Sequence, residues 1–231
     1  MQNTTKRKKL RAHLEKNLCL QPASVFDPVS SKIASSVGFE FGMLGGSIAS
    51  AVILGAPDLN LINLTELSDQ VGRITRASEI SLIVDGDNGY GNALNVMRTV
   101  EELEKAGAAG LTIEDTALPS PYGNAVNENL ISSNEMVKKL QAAIYAKKDP
   151  STVIIGRTHA ANATSISDAI LRIKAYQQVD IDAMFLTGIK TTEQLEQIKM
   201  TCRLPLILGN TPTQLTNETL STYNVKFALR G

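Results

Sequence analysis

Short runs of apolar residues alternate along the chain with longer segments in which apolar residues recur every three or four positions. Most of the short runs are continuously apolar, which is typical of strands covered by helices on one face and by a packed core on the other. Eight runs fit this description: Ser24–Phe26, Gly42–Leu44, Leu82–Asp85, Gly110–Glu114, Val153–Arg157, Ala183–Thr187, Leu206–Leu208 and Val225–Leu229.

The segments between these runs have helical spacing. Leu94, Met97, Val100 and Leu103 recur at intervals of three, and Gly107 follows them as a helix stop. An N-terminal helix is expected over residues 5–19. Similar patterns predict the other helices: Pro28–Val37, Thr65–Ala77, Ser132–Ala146, Ser165–Gln178 and Thr191–Met200.

The regular order of strands and helices predicts an α/β fold, a (β/α)8 TIM barrel in which residues 1–231 form one domain. An open doubly wound sheet is the alternative. The barrel is favoured because polar residues recur directly after the strands, on the rim where barrel enzymes place their chemistry. These residues are Asp27, Asp85, Asp87, Glu114, Asp115 and Arg157.

The eighth predicted strand is followed at once by Gly231, the last residue of the sequence. A closed barrel needs an eighth helix over this strand, because Phe227 or Leu229 would otherwise face solvent. We therefore expect either a helix beyond Gly231 or a partner that covers this edge.

Charge and cysteine content narrow the classes of function. The chain has 23 basic and 23 acidic residues, so no nucleic-acid partner is expected. No membrane partner is expected either, because no apolar run approaches the length of about 20 residues that a span requires. Two distant cysteines without a preceding signal peptide predict reduced thiols in a cytoplasmic protein. The basic cluster near the N-terminus is expected to be a solvated helix face or a frayed end: Lys6, Arg7, Lys8, Lys9 and Arg11.

Four acidic residues at successive strand ends or in the following loops suggest a metal site. Asp85 and Asp87 follow one strand, Glu114 ends the next, and Asp58 lies in the loop after the second strand. Such acids would repel each other unless a cation lay between them, and carboxylate oxygens suit Mg²⁺. The glycines of DGDNGYGN (85–92) would let the backbone approach a ligand closely. The alternative is that the aspartates are turn formers or helix caps.

An anion site is expected on the same rim. Gly46 and Ser47, in the stretch LGGSIAS, open a short predicted helix whose backbone N–H groups would suit a carboxylate or a phosphate. The alternative for Ser47 is a plain helix cap. Arg157 ends an apolar strand and needs an acid partner there, either Glu114 or a substrate anion.

Two further polar residues are candidates for this rim. His159 follows Arg157 by two residues, and its alternative is a solvated loop histidine. Asn210, in LILGNTPTQL (206–215), is a candidate for a second carboxylate, and its alternative is an ordinary turn. Dinucleotide-binding, P-loop and zinc-site motifs are absent from the sequence.

Three stretches of the chain resemble the isocitrate lyase/phosphoenolpyruvate mutase superfamily. They are SVFDPVSSKIASSVGFEFGMLGGSIAS (24–50), DGDNGYGNALNVMRTVEELEKAGAAGLTIEDT (85–116) and IIGRTHA (154–160). The resemblance extends from about Ala23 to the C-terminus and is strongest to the bacterial oxaloacetate decarboxylase branch.

This resemblance implies a TIM barrel that binds Mg²⁺ and an α-keto acid. It also implies a homotetramer in which the last helix, beyond Gly231, is exchanged between subunits. The implied site roles are these: Asp85 as the direct metal ligand, Asp58, Asp87 and Glu114 as holders of the metal's waters, Ser47 with Gly46 as the carboxylate cradle, and Arg157 at the substrate.

The reaction we expect is decarboxylation of oxaloacetate to pyruvate and CO₂ through a metal-stabilised enolate, with Mn²⁺ as a substitute for Mg²⁺. The loop over residues 115–132 has neither the cysteine of the lyase branches nor the polar motif of the mutase branch, which fits a decarboxylase. The proton donor is left open between His159 and a metal-bound water.

Two departures from the resemblance leave other reactions open. Asn210 stands where decarboxylase relatives have a tyrosine, and His159 replaces an asparagine or an acid. One alternative is a lyase of a 2-hydroxy-tricarboxylate or an enzyme of phosphonate metabolism. The alternative from another class is a catalytically inactive homologue that only binds a keto acid or oxalate.

Overall fold

The chain forms a sheet of eight parallel strands that pair in chain order. The structure, a computed structural model, describes residues 2–119 and 129–230. Leu20, just before the first strand, donates its N–H to the carbonyl oxygen of Lys226 and accepts the N–H of Ala228, both at 2.9 Å. This link joins the last strand to the first and confirms the predicted (β/α)8 barrel. The strands are β1 (Ala23–Ser24), β2 (Phe41–Leu44), β3 (Ser81–Asp85), β4 (Gly110–Glu114), β5 (Val153–Thr158), β6 (Ala183–Leu186), β7 (Leu206–Leu208) and β8 (Val225–Ala228).

Helices connect the strands, and among those described none is long and apolar enough to cross a membrane. The first helix ends five residues earlier than predicted, at Leu14, because the chain must turn before Leu20 pairs with β8. The helices α7 and α10 were not predicted, since elements this short show no periodicity. The helices are α1 (Gln2–Leu14), α2 (Pro28–Ser36), α3 (Gly46–Ile53), α4 (Leu64–Ala77), α5 (Ala93–Lys105), α6 (Ser133–Ala146), α7 (Ala160–Ala163), α8 (Ile166–Tyr176), α9 (Thr192–Lys199) and α10 (Asn217–Ser221).

The strands are buried on both faces, which explains their continuous apolar runs. Alternate residues such as Ile83, Ile155 and Phe185 belong to an inner cluster. Their neighbours, such as Leu82 and Ile154, belong to the larger layer between the sheet and the helices. Because side chains alternate along a strand, both residue sets must be apolar, as the sequence pattern indicated.

The prediction for the N-terminal basic cluster is wrong for two of its residues. Lys6 and Arg7 are buried, because α1 lies against the N-terminal end of the barrel. Lys6 Nζ donates to the carbonyl oxygens of Thr75 at 2.8 Å and Ser78 at 2.6 Å. Arg7 forms an ion pair with Asp149 at 2.8 Å. The charges are therefore satisfied by groups far away in sequence, which a local charge pattern cannot reveal.

His13 of α1 is buried at this same end of the barrel. Its ring lies 4.8 Å from the Phe41 ring and 4.7 Å from the Phe227 ring, centroid to centroid. Its Nε2 atom lies 3.1 Å from the carbonyl oxygen of Lys226. Burial lowers the pKa of His13, and the nearby charges of Lys16 and Lys226 act in the same direction against that hydrogen bond.

We expect His13 to weaken the fold as the pH falls. Its pKa is lower in the folded chain than in the unfolded chain, so the unfolded chain binds more protons and stability rises with pH. Between about pH 7 and about pH 5, around the unfolded pKa, the wild type should therefore lose more unfolding free energy than His13→Gln. Urea unfolding of both proteins at each pH measures this difference, and parallel losses would contradict the prediction.

Candidate active site

Three neighbouring strands bring the predicted acids and the arginine to one end of the barrel. Asp85 ends β3, Glu114 ends β4, and Arg157 is the residue of β5 that pairs with Glu114. Asp85 and Glu114 are buried, although both lie at the rim. The Thr112 hydroxyl donates to Asp85 Oδ1 at 3.0 Å, so one carboxylate oxygen is fixed by the adjacent strand.

Arg157 binds two of these acids at once. Its Nη1 lies 2.5 Å from Asp85 Oδ2, and its Nε lies 3.1 Å from Glu114 Oε2. The guanidinium carbon lies 5.0 Å from the centroid of the Phe185 ring. Glu114 was predicted as one alternative partner, and the structure adds Asp85. The acid partners outweigh burial and raise the pKa of Arg157, so this cation stays charged.

Glu114 is ionised and firmly held. Burial alone would raise its pKa, but Arg157 and His159 outweigh burial and lower the pKa to about 2. His159 Nε2 lies 2.9 Å from Glu114 Oε2 and 3.0 Å from Arg157 Nε, and its Nδ1 lies 3.1 Å from Thr187 Oγ1. The ring is therefore no solvated loop histidine. Thr187 was not predicted, because its role depends on the pairing of β5 with β6.

Asp87 is the acid with the least compensation. Its backbone is left-handed, with φ of 47°, and its carbonyl oxygen accepts the N–H of Glu114 at 2.8 Å. Burial raises its pKa, and the charges of Asp85, Glu114 and Asp58 raise it further, to about 8. A bound cation would offset the repulsion between Asp87 and the neighbouring acids.

Gly46 leaves a space that three carboxylates border. A methyl group built on Gly46 would lie 3.1 Å from Asp87 Oδ1, 3.5 Å from Asp58 Oδ2 and 3.7 Å from Asp85 Oδ2. Ser47 donates its hydroxyl to Asp58 Oδ2 at 2.9 Å. The helix cap of α3 is Gly45, so Ser47 is not the plain cap that was the alternative.

These carboxylate groups are of the type that binds a hard divalent cation. Asp85, Asp87 and Asp58 offer carboxylate oxygens around one space, and Glu114 is tied to the same group through Arg157. Within residues 2–119 and 129–230, no group of three or more histidine, cysteine or acidic side chains is arranged so that it could already hold a metal ion. Mg²⁺ usually keeps several waters and is bound by only one or two carboxylates, so it does not require three protein ligands.

A cavity of about 380 Å³ opens beside this cluster, between β1, β2, β7 and β8. Ser47 and Asn210 both line it, so the structure brings these two predicted residues to one cavity. Asn210 is exposed and has a left-handed φ of 50°. Arg230 also lines the cavity and donates to the carbonyl oxygens of Pro212 at 3.0 Å and Leu215 at 2.7 Å. Arg230 was not predicted, although a basic residue directly after β8 was a usable signal.

The loop over residues 115–132 lies partly outside the described residues, because 120–128 are not described. The two ends of this segment pair with each other. Thr116 and Leu130 form an antiparallel bridge, and Ala117 donates its N–H to the carbonyl oxygen of Asn129 at 2.7 Å. The base of the segment is therefore anchored next to Glu114.

The family model described as phosphoenolpyruvate phosphomutase matches residues 10–228. The chain belongs to the phosphoenolpyruvate mutase/isocitrate lyase superfamily. An oxaloacetate decarboxylase of Rhodopseudomonas palustris (strain ATCC BAA-98 / CGA009) is 53% identical over 223 residues, 96% of this chain and 77% of the relative. An oxaloacetate decarboxylase of Paraburkholderia xenovorans (strain LB400) is 47% identical over 224 residues, 96% of this chain and 75% of the relative.

Solved structures of the superfamily share the fold. Oxaloacetate acetylhydrolase in complex with the product oxalate superposes with a TM-score of 0.88 at 27% identity, covering 98% of this chain and 80% of that chain. Phosphonopyruvate hydrolase in complex with oxalate and Mg²⁺ superposes with a TM-score of 0.87 at 28% identity, with the same coverage. These relationships confirm the predicted superfamily and indicate an enzyme with carbon–carbon lyase activity.

We expect Asp87→Asn to stabilise the metal-free protein at alkaline pH. The raised pKa means that the folded chain binds a proton that the unfolded chain has lost, so wild-type stability falls as the pH rises toward about 8. Asparagine lacks this charge and tolerates a left-handed φ. Thermal unfolding is measured in a chelator at about pH 5 and about pH 9. The unfolding temperature of the variant relative to the wild type should be higher at about pH 9 than at about pH 5.

Added Mg²⁺ should raise the unfolding temperature of the wild type but not that of Asp87→Asn, because only a folded chain with its acids intact binds the ion. Asp69→Asn, at an exposed position on α4, is the matched control and should respond to Mg²⁺ like the wild type. A variant that loses stability relative to the wild type at the higher pH would refute the electrostatic account of Asp87.

Proposed function

We propose that this chain decarboxylates oxaloacetate to pyruvate and CO₂, with Mg²⁺ as the cofactor and Mn²⁺ as a substitute. The observation that carries the proposal is the convergence of Asp85, Asp87, Asp58 and Glu114 beside a cavity that Ser47 lines. The names of the relatives at 47–53% identity support this reaction over others of the superfamily. We further propose that the protein is cytoplasmic.

The reaction breaks the bond between the methylene carbon of oxaloacetate and its adjacent carboxylate. The bonding electrons move to the ketone oxygen and leave an enolate, which takes one proton on carbon to give pyruvate. A divalent cation, when bound, supplies Lewis acidity that draws electron density from the ketone oxygen. Asp85, with Asp58, Asp87 and Glu114, would hold that cation.

The chain's own groups hold the substrate and its charge. Ser47 lines the cavity, and its hydroxyl, which donates to Asp58 Oδ2 at 2.9 Å, would turn to bind the carboxylate next to the ketone together with the backbone N–H groups at the start of α3. Arg157 stays protonated at the strand ends and would offset the negative charge that develops as CO₂ leaves. Asn210, which lines the same cavity as Ser47, would contact the second carboxylate.

His159 is assigned a part in holding Glu114 and Arg157. Both ring nitrogens have hydrogen-bond partners: Nε2 either donates to Glu114 or accepts from Arg157, according to the tautomer, and Nδ1 pairs with Thr187. His159 therefore supplies the proton for pyruvate only if one of these bonds opens during the reaction. The short distances favour a positioning role for His159.

The proposal is tested by pyruvate release from oxaloacetate, coupled to lactate dehydrogenase, with added Mg²⁺. We expect metal-dependent turnover by the wild type, and release by Asp85→Ala at the background rate. The variant at equal concentration is the essential control, because free Mg²⁺ slowly decarboxylates oxaloacetate. A chelator should abolish the wild-type excess.

Wild-type pyruvate release equal to that of Asp85→Ala would contradict the proposal. Oxalate in place of pyruvate would instead assign the reaction named for the acetylhydrolase neighbour. Turnover of a phosphonate or a 2-hydroxy-tricarboxylate alone would place the chain in another branch. Binding of oxalate with no turnover of any of these compounds would identify an inactive homologue.

An exposed apolar surface supports the further proposal of a homotetramer. Val29, Ile33 and Val37, in and just after α2, are 63%, 59% and 68% exposed at intervals of four residues. Val52 and Leu54, at the end of α3, are also exposed, and both helices pack against α4. Clustered apolar side chains of this kind mark contact surfaces between proteins.

Light scattering after gel filtration should give a mass near four times the chain mass of 24.8 kDa. Ile33→Asp should lower this mass, because it places a charge in the apolar surface. Leu94→Asp is the matched control, since Leu94 is 74% exposed on α5, and it should leave the mass unchanged. A wild-type mass of one chain would refute the proposal.

A further inference from the structure

Lys139 of α6 is a buried cation close to the loop that carries Asp87. Its side chain is 2% exposed and lies on the helix face that also buries Met136, Leu140 and Ala143. An ammonium group at such a position loses most of its hydration, so it needs strong local partners. Lys139 Nζ donates to the carbonyl oxygen of Asn88 at 2.9 Å.

The loop over residues 86–89 is fixed through its carbonyl oxygens. Four successive carbonyls each accept a hydrogen bond, and three of the four donors lie outside the loop. The pairs are Gly86 with the Gly89 N–H at 2.9 Å, Asp87 with the Glu114 N–H at 2.8 Å, Asn88 with Lys139 Nζ at 2.9 Å, and Gly89 with Thr99 Oγ1 at 3.1 Å. Lys139 is the only one of these donors that carries a charge.

This loop has a conformation that requires external support. Asp87 and Tyr90 are both left-handed, with φ of 47° and 60°, and neither is glycine. Such backbone persists only where surrounding contacts over-determine it. A methyl group built on Gly89 would lie 2.3 Å from a Val96 side-chain carbon, so the loop is also packed tightly against α5.

The charge of Lys139 also interacts with nearby carboxylates. Burial lowers the pKa of Lys139, and the carboxylates that raise it are Glu135, on the same helix, followed by Glu114 and Asp115. Arg157 forms ion pairs with Asp85 and Glu114 directly, whereas Lys139 carries its positive charge on α6, in the layer of helices outside the sheet. A neutral donor would fix the loop but would not offset the negative charge.

We propose that Lys139 is a positioning residue for the divalent-cation site, and this inference rests on the proposed function. Its ammonium group holds the Asn88 carbonyl and thereby fixes the left-handed Asp87 in the orientation that the cation requires. Removal of an outer partner of this kind weakens metal affinity by about 10–100-fold in other metal proteins.

The test measures Mn²⁺ affinity by isothermal titration calorimetry, below the unfolding temperature of each protein. Lys139→Met should bind Mn²⁺ about 10–100-fold more weakly than the wild type. Lys6→Met is the matched control, because Lys6 is 3% exposed and also donates only to backbone carbonyls, at the opposite end of the barrel. This control should keep the wild-type affinity even where it lowers the unfolding temperature.

The outcomes separate the two proposals. A wild type that does not bind Mn²⁺ refutes the cation site itself. If the wild type binds Mn²⁺ and the two variants Lys139→Met and Lys6→Met have equal affinity for it, only the role of Lys139 is refuted. Lys139→Gln keeps a donor without charge and should show a smaller loss.

If Lys139→Met does not fold, Thr99→Val decides the question. It removes the hydroxyl that the Gly89 carbonyl shares with the Asn95 carbonyl, without changing charge, and it should weaken Mn²⁺ binding by about two- to tenfold, as expected for about one neutral hydrogen bond. Unchanged affinity in Thr99→Val would overturn the claim that the loop carbonyls fix the site.

Discussion

At the C-terminal end of this barrel several carboxylates lie close together, and positive charge must offset their repulsion. Asp85 and Glu114 end the adjacent buried strands β3 and β4, and Arg157 bridges the two carboxylates from the next strand, β5. Without that guanidinium, two carboxylates would lie in a low-dielectric rim with too little compensation. Burial and the neighbouring acids raise the pKa of Asp87, and the charge of Arg157 only partly opposes them. Bringing these acids together costs stability and favours the binding of a cation.

The charged groups at the two ends of the barrel have different roles. At the N-terminal end, buried cations such as Lys6 and Arg7 bind backbone carbonyls and Asp149, and α1 covers the inner core. At the C-terminal end, charged groups contact one another and line a cavity. This division is general for TIM barrels, where one face provides stability and the other provides chemistry.

The sequence predicted the strands well, because burial on both faces makes each strand a continuous apolar run. It also predicted which acids lie at the rim, since the carboxyl ends of parallel strands meet there. It did not reveal the contact between Asp85 and Arg157, which are 72 positions apart, or the burial of Lys6 and Arg7. Such pairings depend on strand register and helix docking, which no local pattern records. Lys139 looked like an ordinary helical lysine for the same reason.

The resemblance to a family and the residue pattern contributed different parts of the account. The pattern indicated a cation site, and the resemblance assigned ligand roles and a reaction. Neither indicated that His159 would be engaged at both nitrogens, or that Thr187 and Arg230 would lie at the site. These contacts come from the pairing of β5 with β6 and from the turn after β8.

The most direct test of the central claim is anomalous X-ray diffraction from crystals grown with Mn²⁺ and oxalate. The account predicts one Mn²⁺ peak per chain at the barrel mouth, with an Asp85 carboxylate oxygen as a direct ligand and Asp87 close by. Anomalous density elsewhere on the chain, with Arg157 still bridging Asp85 and Glu114 over an empty mouth, would contradict it.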